Sequence, residues 1–335
     1  MQEQPFVSIC TPTFNRRPFI ETMFECFRNQ TYPKEKMEWI IVDDGTDKIE
    51  DLILQSKLPQ IRYFKINKKM KLGEKRNYMH THVKGSIVVY MDDDDYYPPE
   101  RVEHCVERLL GNPQALCAGS SELYIYFKHI NKMYQSGPFG PNHATAGTFA
   151  FKKELLDKTS YDDNASLAEE RYFLKDYTIP FVQLDPLKSI LVFSHNHNSF
   201  DKKNMLRNSN PTFFKESDKK IHHFIRKKEE SSIFRFFMKD IDDLLDNYSL
   251  GSPENKPDVL KQLQEIQEQR EKAGNTQQGA IMMETPGQGK RAVPLSEIVQ
   301  ILSQQQKQIK FLTGRVKELE ENLLQEQMRN AVVNE

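Results

Sequence analysis

The sequence predicts an α/β protein whose first two hundred residues form a largely parallel, doubly wound sheet. Three observations support this fold class. Short apolar, β-prone segments alternate with segments of helical periodicity. The most strand-like segment of the chain, residues 86–91, lies inside this alternation, and polar turns follow several of the strands. Strands and helices that alternate in this way form parallel sheets covered by helices on both faces.

The elements can be followed in order along the first 110 residues. Residues 6–10 form the first predicted strand, which Thr11-Pro12-Thr13 ends. Apolar residues then recur at helical spacing, with a proline near the first turn. Predicted strands and helices continue to alternate along the chain. The predicted strands are residues 6–10, 38–42, 61–66 and 86–91, and the predicted helices are residues 18–28, 73–83 and 98–110.

The second half of the chain has a weaker pattern and divides into regions by composition. It suggests a strand at 122–127, a loop rich in Gly, Pro, Asn and His at 136–147, and a short helix at 169–175. Residues 212–250 have helical spacing, and residues 274–294 are poor in apolar residues, as in a flexible linker. We therefore expect four regions: a catalytic-sized domain (1–210), a helical extension packed on it (211–250), a helical or flexible linker (251–294) and a coiled-coil helix (295–328).

The final region carries apolar residues in a strict alternation of three and four. This spacing is the heptad pattern of a coiled coil and predicts a homo-oligomer. The alternative is a single amphipathic helix that docks on the catalytic domain. The heptad positions are Leu295, Ile298, Leu302, Gln305, Ile309, Leu312, Val316, Leu319 and Leu323.

Charge and cysteine content limit the classes of function. The chain has 47 basic and 48 acidic residues, which gives no global electrostatic argument for binding nucleic acid or an anionic membrane. It has no signal-peptide core and no apolar stretch of roughly 20 residues that could span a membrane. Its four cysteines form no C-x-x-C pair, so we expect buried free thiols. A soluble cytoplasmic protein is predicted, with peripheral membrane attachment left open.

Four consecutive aspartates, Asp92 to Asp95, follow the most strand-like segment of the chain. In an extended segment, Asp92 and Asp94 would point to the same side and Asp93 to the other. Magnesium and manganese ions prefer oxygen ligands and often bind one or two carboxylates together with substrate phosphates. This predicts a metal and diphosphate site, with an acidic, solvated turn as the alternative.

Other polar residues follow predicted strands or begin helices near this run in the expected fold. Carboxylates and hydroxyls in post-strand turns can recognise a nucleotide base or a ribose, although Asp-Asp-Gly is also an ordinary turn. Basic residues at the start of a helix suit a diphosphate, with a surface basic patch as the alternative. The candidates are Thr11, Asn15, Asp43 and Asp44 in the turns and Lys75 and Arg76 in the helix.

These motifs together resemble the family 2 glycosyltransferases of GT-A fold, a Rossmann-like, doubly wound mixed sheet. The resemblance covers about residues 5 to 200, and its parts occur in the family's order at plausible spacings. The segments that carry it are VSICTPTFNR (7–16), IIVDDG (40–45), GEKRN (73–77) and MDDDD (91–95), followed by Pro99.

The resemblance implies a role for each matching residue of the donor site. Thr11, Pro12 and Asn15 would line the nucleotide pocket, and Asp43 would contact the base, expected to be uracil. Lys75 and Arg76 would approach the ribose or diphosphate. Asp92-Asp93-Asp94 is similar to the D-x-D motif, with Asp94 as the direct metal ligand and Asp92 nearer the ribose or a metal-bound water. Gly147 and Thr148 resemble the segment that lies along the donor sugar.

The resemblance also implies a catalytic base and a late metal ligand. Glu169-Glu170 resembles the family's acidic pair, in which Glu170 matches the base, although the usual pair is Glu-Asp or Asp-Asp. Two exposed glutamates at a helix start are the alternative. A histidine after a late strand often completes the metal or diphosphate site, and His195 fits that position, with His197 as the alternative.

The function that follows is a metal-dependent, inverting sugar transfer of the hexosyltransferase type (EC 2.4). The expected donor is a UDP-sugar, the expected cofactor is Mn²⁺ or Mg²⁺, and the acceptor is a hydroxyl of a glycan, lipid or protein. One alternative is a nucleotidyltransferase acting on sugar phosphates, but residues 11–17 lack the glycines of a triphosphate loop. The other alternative is an inactive scaffold that binds sugar nucleotides.

Overall fold

The computed structural model describes residues 4–167, 169–226, 228–276, 280–285, 289–294, 304–305, 308–309, 312–316 and 319. The chain divides into two compact units, Met1–Leu263 and Gln264–Glu335. None of the helices in these ranges is long and apolar enough to cross a membrane.

The first unit contains eleven strands within the described residues. They are β1 (Val7–Thr13), β2 (Met37–Asp43), β3 (Ile61–Lys65), β4 (Ile87–Tyr90), β5 (Cys117–Gly119), β6 (Leu123–Phe127), β7 (Lys132–Ser136), β8 (Ala150–Lys152), β9 (Phe181–Gln183), β10 (Leu191–Ser194) and β11 (Phe214–Glu216).

The α-helices are short, apart from the last. They are α1 (Arg17–Arg28), α2 (Glu50–Ser56), α3 (Leu72–His80), α4 (Arg101–Leu110), α5 (Glu170–Phe173), α6 (Lys203–Asn208), α7 (Ser231–Arg235), α8 (Ile241–Asp246) and α9 (Pro257–Thr276). A π-helical turn, Phe236–Asp240, joins α7 to α8.

A mixed seven-stranded sheet organises the first unit, with the strand order β3-β2-β1-β4-β8-β5-β9. Strands β1 to β4 are parallel to one another, whereas β8 runs antiparallel to both of its neighbours, β4 and β5. The register places Thr13 beside Asp43 and Cys10 beside Tyr90. The carboxyl ends of β1, β2 and β4 therefore meet at one edge of the sheet, where ligands bind in folds of this kind.

Apolar side chains cover both faces of the sheet, as the doubly wound prediction requires. In β2, Trp39 and Ile41 belong to one core cluster, whereas Ile40 and Val42 belong to the other. This division follows from the period of two in a strand, and it explains why the strand is a continuous apolar run. All four cysteines are free and buried, as predicted.

A second, four-stranded sheet has the order β10-β6-β7-β11 and extends beyond the predicted boundary at residue 210. Its last strand, β11, pairs antiparallel with β7 inside the segment 212–250, which the sequence analysis expected to be helical. Phe214 is buried and stacks on Tyr134 of β7. Cross-strand aromatic packing therefore outweighs the helical spacing there, and α-helix begins only at Ser231.

The second unit contains an antiparallel pair of strands, β12 (Ala280–Thr285) and β13 (Gly289–Pro294). The sequence analysis assigned these residues to a flexible linker. The register sets Ile281 opposite Val293. The few apolar residues of this region therefore belong to two paired strands. Of the predicted coiled coil, residues 304–305, 308–309, 312–316 and 319 are helical, and the rest of 295–328 lies outside the described residues.

Candidate active site

A cavity of about 170 Å³ opens at the edge of the main sheet where β1 and β4 end. We call it the strand-end cavity. Residues far apart in sequence form its wall, including both chain segments that follow these strands. The lining residues are Pro12, Thr13, Phe14, Arg16, Lys69, Met70, Leu72, Lys75, Arg76, Asp92, Asp93, Asp94, Ser166, Ser199, Lys256, Asp258 and Val259.

Asp92, Asp93 and Asp94 all line the strand-end cavity. An extended segment would direct Asp93 away from the other two aspartates. The chain instead turns at Asp93 and Asp94 directly after β4. The turn brings three carboxylates to one cavity, where their mutual repulsion must be offset by cations.

Arg16 provides part of this compensation from the turn after β1. Its Nη2 donates to Asp94 Oδ2 at 3.0 Å, and its Nε lies 3.6 Å from Asp93 Oδ1. Burial alone would raise the pKa of Asp94, but Arg16 and His195 hold it well below its usual value. Burial raises the pKa of Asp93 to about 7 despite Arg16. The site therefore holds one firmly ionised carboxylate, Asp94, beside one whose pKa lies near neutral pH, Asp93.

Two aspartate oxygens at the strand-end cavity have no hydrogen-bond partner although they are buried: Asp92 Oδ1 and Asp93 Oδ2. Buried carboxylate oxygens without partners are costly, and a hard divalent cation would satisfy them. In the described ranges, no group of three or more His, Cys, Asp or Glu side chains is arranged to hold a metal ion. Carboxylate oxygens suit a magnesium-like ion whose shell is completed by water and substrate phosphates.

Arg76 connects the aspartate run to the predicted acidic pair. Its Nε donates to Glu169 Oε1 at 3.0 Å, its Nη2 lies 3.8 Å from Asp92 Oδ1, and its guanidinium lies over the Tyr90 ring. Arg76 and Glu169 are 3% and 5% exposed. Burial raises the pKa of Glu169, and Arg76 opposes this effect.

Lys75 is held by the β2 turn. Its ammonium donates to Asp44 Oδ1 and, at 3.1 Å, to the Thr13 carbonyl oxygen. Asp44 also accepts from the Met70 N–H at 2.6 Å. The carboxylate of the preceding residue, Asp43, accepts hydrogen bonds from the Gly45 N–H, the Ile49 N–H and the Tyr63 hydroxyl. It therefore stabilises the turn that leads into α2.

Thr11 and Asn15, two of the predicted nucleotide contacts, make structural hydrogen bonds. The Thr11 hydroxyl donates to the Met91 carbonyl oxygen at 2.5 Å and accepts from Trp39 Nε1. Asn15 has a φ of 51°, and its Oδ1 accepts from the N–H groups of Thr46 and Asp47. Neither lines the strand-end cavity, whereas the predicted Pro12 does.

Gly147 touches the aspartate run directly. A Cβ at this position would come within 2.9 Å of Asp92 Oδ2, so a larger residue would displace the Asp92 carboxylate. Its carbonyl oxygen accepts from the Tyr97 hydroxyl, which in turn accepts from the Asp92 N–H. Thr148 is fully buried, and its hydroxyl donates to the Thr145 carbonyl oxygen.

Glu170 begins α5 and lies beside the same turn, because its Oε1 accepts from the Ala146 N–H at 3.3 Å. The neighbouring glutamates of the predicted pair therefore have different surroundings. Glu169 is buried against Arg76, whereas Glu170 remains partly accessible next to the turn that contacts Asp92.

The two candidate histidines also differ in position. His195 is buried with its Nε2 3.5 Å from Asp94 Oδ2 and 2.8 Å from Asn198 Nδ2, and burial lowers its pKa to about 4. His197 directs its ring toward Tyr248 and Gly251, and only its carbonyl oxygen contacts Arg16. The geometry therefore favours His195 as the histidine of the aspartate site.

The strand-end cavity includes residues that the sequence analysis did not select. Arg16 lies in the same turn as Asn15, and its place beside a strand end could have identified it. Lys256, Asp258 and Ser199 come from distant segments without a recognisable motif, and only the tertiary structure brings them together.

Comparison with known proteins finds a family match for one segment of the chain. Residues 8–164, just under half of the chain, match the family model for glycosyl transferase family 2. The chain is 31% identical over 153 residues to a cholesterol galactosyltransferase of Borreliella burgdorferi (45% of this chain, 41% of the relative). It is 32% identical over 124 residues to an uncharacterized glycosyltransferase of Rickettsia felis (36% of this chain, 20% of the relative).

Among solved structures, the chain is similar to the mannosyltransferase PcManGT of Pyrobaculum calidifontis, which was solved with GDP-Man and Mn²⁺. That match has a TM-score of 0.46 and 18% identity and covers 57% of each chain. The chain spans less than half the length of the two curated relatives described above. The segment from residue 8 to residue 164, which carries the aspartate run and the basic residues of α3, therefore matches glycosyl transferase family 2.

Proposed function

We propose that the protein is a metal-dependent glycosyltransferase that transfers a sugar from a nucleoside-diphosphate donor to an acceptor hydroxyl with inversion. The observation that carries this proposal is the strand-end cavity, in which three consecutive aspartates face a set of cationic side chains. A nucleotide sugar presents a diphosphate that needs cations and a divalent metal. The family match over residues 8–164 supports the same activity.

The metal would be held by Asp94 and Asp92, with His195 beside Asp94. The unpartnered Asp92 Oδ1 provides a ligand atom, and the low pKa of Asp94 keeps its carboxylate ionised. Mn²⁺ or Mg²⁺ bound there would supply positive charge to the departing diphosphate. Asp93, the remaining carboxylate of the aspartate run at the cavity, lies 3.6 Å from Arg16, which keeps the aspartates together before a ligand arrives.

The nucleotide would extend from the strand-end cavity toward the end of β2. A second cavity, of about 570 Å³, lies there and is lined by Phe14, Asp44, Gly45 and Asn67 among others. Asp43 does not line it, because three hydrogen bonds hold its carboxylate within the α2 turn. We therefore assign the base contact to Asp44, which lines this cavity. Its carboxylate also accepts from Lys75 and from the Met70 N–H, so a uracil N–H would share one of its oxygens with these donors.

Glu170 is the residue that we assign as catalytic base. Glu169 is bound to Arg76 in a buried ion pair, so a proton placed there would leave the arginine with only the more distant Asp92 carboxylate. Glu170 is partly accessible, and its carboxylate adjoins the 146–148 turn that touches Asp92. It can take the proton of an acceptor hydroxyl as that oxygen attacks the anomeric carbon.

The reaction needs no covalent intermediate. The acceptor oxygen forms a bond to the anomeric carbon while the bond from that carbon to the diphosphate oxygen breaks, and the electron pair leaves with the diphosphate. The proton passes to Glu170. Attack opposite the leaving group inverts the anomeric carbon, and alignment of the two substrates provides much of the rate. A hexose donor, in particular a UDP-hexose, is the donor class that we propose.

The proposal is tested by measuring release of nucleoside diphosphate from a panel of nucleotide sugars with Mn²⁺. The wild type is compared with Asp94→Asn and with the exposed control Asp157→Asn. We expect release by the wild type and by the control and a loss of at least about 100-fold in Asp94→Asn. No release by any of the three proteins would overturn the proposal. Pyrophosphate formed from a nucleoside triphosphate and a sugar phosphate would instead indicate a nucleotidyltransferase.

We also propose that the tail forms a homo-oligomer through its heptad positions. Ile309, Leu312, Val316 and Leu319 lie in helical segments and are 53–64% exposed. Apolar residues spaced by three and four in this way form the contact seam of a coiled coil. A second copy of the same helix would bury these apolar side chains.

A further inference from the structure

Lys256 lies in the strand-end cavity although it falls well outside the family match, which ends at residue 164. It directly precedes α9, and its side chain is 6% exposed. Burial and the neighbouring Arg16 lower the pKa of Lys256 to about 7, and Asp94 and Asp93, which line the same cavity, oppose this shift. Ser199, not either aspartate, accepts its hydrogen bond. Lysine is rarely buried so deeply unless a partner compensates its charge.

The cations that line the strand-end cavity differ in their partners. Arg16, Lys69, Lys75 and Arg76 each bind a carboxylate, namely Asp94, Asp258, Asp44 and Glu169 respectively. Lys256 Nζ instead donates to the neutral Ser199 hydroxyl at 3.0 Å. Lys256 is therefore the lining cation, among the described residues, that has a neutral hydrogen-bond partner. Its charge is available to be compensated by a ligand.

The segment that carries Lys256 is fastened on both sides. We call residues 248–262 the closing segment. Before Lys256, the Tyr248 hydroxyl donates to Asp47 Oδ2 at 2.8 Å, and Asn15 Nδ2 donates to the Leu250 carbonyl oxygen at 3.2 Å. Gly251 packs so closely that a Cβ there would come within 2.6 Å of the Asn15 carbonyl oxygen.

Beyond Lys256, the closing segment is attached to the loop before α5. The Ser166 hydroxyl donates to Asp258 Oδ2 at 2.9 Å, and Gln262 Oε1 accepts from the N–H groups of Ser166 and Leu167 at 2.7 and 3.0 Å. These contacts fix the chain on both sides of Lys256, and the hydrogen bond to Ser199 positions its ammonium in the cavity before a ligand binds. Such preorganisation reduces the cost of binding.

We infer that Lys256 binds the diphosphate of the nucleotide donor and stabilises the nucleoside diphosphate as it leaves. The inference rests on the proposed function and names a contact within that site. A lysine ammonium is a compact charge with three donors, which suits the oxygens of a phosphate group. As the sugar–oxygen bond breaks, negative charge grows on the diphosphate, and Lys256 compensates it without transferring a proton.

The inference predicts opposite effects on stability and binding. Lys256→Met keeps the length of the side chain but removes its charge. The free protein should melt at or above the wild-type temperature, because a buried charge is lost. Affinity for UDP or GDP with Mn²⁺ should fall roughly 10- to 100-fold, the usual effect of a lost hydrogen bond to a charged group. A lysine with a purely structural role would show the reverse: lower stability and unchanged affinity.

The test is isothermal titration of UDP and GDP, with UMP and GMP in parallel, into full-length wild type, Lys256→Met, Lys256→Arg and the exposed control Lys68→Met. We expect Lys256→Met to lose affinity mainly for the diphosphates, Lys256→Arg to stay within a few-fold of wild type, and the control to be unchanged. Wild-type affinity in Lys256→Met would overturn this inference alone. If the wild type binds no nucleoside diphosphate, the proposed function fails together with it.

Discussion

Arg76 Nε donates to Glu169 Oε1 at 3.0 Å in a part of the protein where both side chains are almost excluded from water. The same guanidinium lies 3.8 Å from Asp92 Oδ1 and stacks on Tyr90. The Arg76 guanidinium therefore contacts two carboxylates and an aromatic ring at the same time, which the single ammonium of a lysine could not do. The pair joins α3 to the start of α5 and places the acidic pair next to the aspartate run.

The first prediction concerns the stability that this pair provides. Glu169→Gln should lower the free energy of unfolding by about 3 kcal/mol, because it leaves a buried arginine with reduced compensation. Urea denaturation followed by circular dichroism measures the effect, with the exposed Glu154→Gln as the control. Arg76→Met combined with Glu169→Gln should be more stable than the sum of the single variants predicts. Strict additivity would contradict the importance of the pair.

The second prediction separates the roles of the two glutamates. Glu170→Gln should reduce the rate of sugar transfer by roughly 100-fold or more, because general base catalysis contributes about that much. Affinity for the nucleoside diphosphate and the melting temperature should change little, since Glu170 is partly accessible and has no ionic partner in the described structure. Steady-state kinetics and calorimetry provide the readouts. A variant that retains its rate would exclude Glu170 as the base.

The third prediction concerns Gly147, whose substitution would push on Asp92. Gly147→Ala places a Cβ within 2.9 Å of Asp92 Oδ2, so the carboxylate must move. We expect metal-dependent activity to fall by about 10-fold or more, because small displacements at a reacting site are costly. Gly140→Ala is the matched control, since nothing lies within 4 Å of its added Cβ. Equal activity in the two variants would show that the approach to Asp92 is unimportant.

The fourth prediction is a loss of stability in acid that depends on His80. Burial lowers the pKa of His80 from 6.5 to about 3 in the folded protein, and its Nε2 lies 2.6 Å from the Tyr90 hydroxyl oxygen. Between these pH values the unfolded chain binds a proton that the folded chain does not. Stability therefore falls as the pH decreases from about 7 toward 3.

At pH 5 the contribution of His80 to this loss should be roughly 2 kcal/mol. His80→Gln removes the titrating group, so its unfolding free energy should fall less between pH 7 and pH 5 than that of the wild type. The exposed His222→Gln serves as the control and should follow the wild type. If His80→Gln has the wild-type slope, the neutral, buried state of His80 does not contribute to the acid sensitivity.

The fifth prediction concerns the tail. Ile309→Glu combined with Val316→Glu should lower the sedimentation mass of the full-length protein to that of a monomer, because charges would replace two seam positions. Thr313→Glu, between these positions but outside the heptad series, should leave the mass unchanged. A monomeric wild type would rule out the homo-oligomer.

The sequence was most informative where both faces of a strand are buried. The apolar run of β2 and its following turn determine a parallel strand and the position of Asp43 and Asp44, and the structure has them there. The prediction failed at 214–216, where pairing with β7 and stacking on Tyr134 decide the conformation. Such partners lie far away in the chain, so local periodicity contains no information about them.

The sequence predicted where the site residues lie more accurately than what their side chains do. Asp92, Asp94, Arg76 and the Glu169-Glu170 pair lie at or beside one strand-end cavity, as the order of the motifs suggested. Asp43, Asn15 and Thr11 have the expected positions, but their polar atoms are used in hydrogen bonds within the protein. Which of two adjacent polar residues faces a cavity depends on backbone turns that residue types alone do not specify.

The closing segment also has a consequence for the order in which the protein matures during synthesis. A ribosome makes the main sheet, with its aspartate run, before it reaches Lys256 and Gln262. The sheet can therefore assemble while the wall of the cavity is still missing on one side. A chain that ends before residue 256 would carry the aspartate run but lack Lys256, so the cavity gains this cation only after most of the chain has been made.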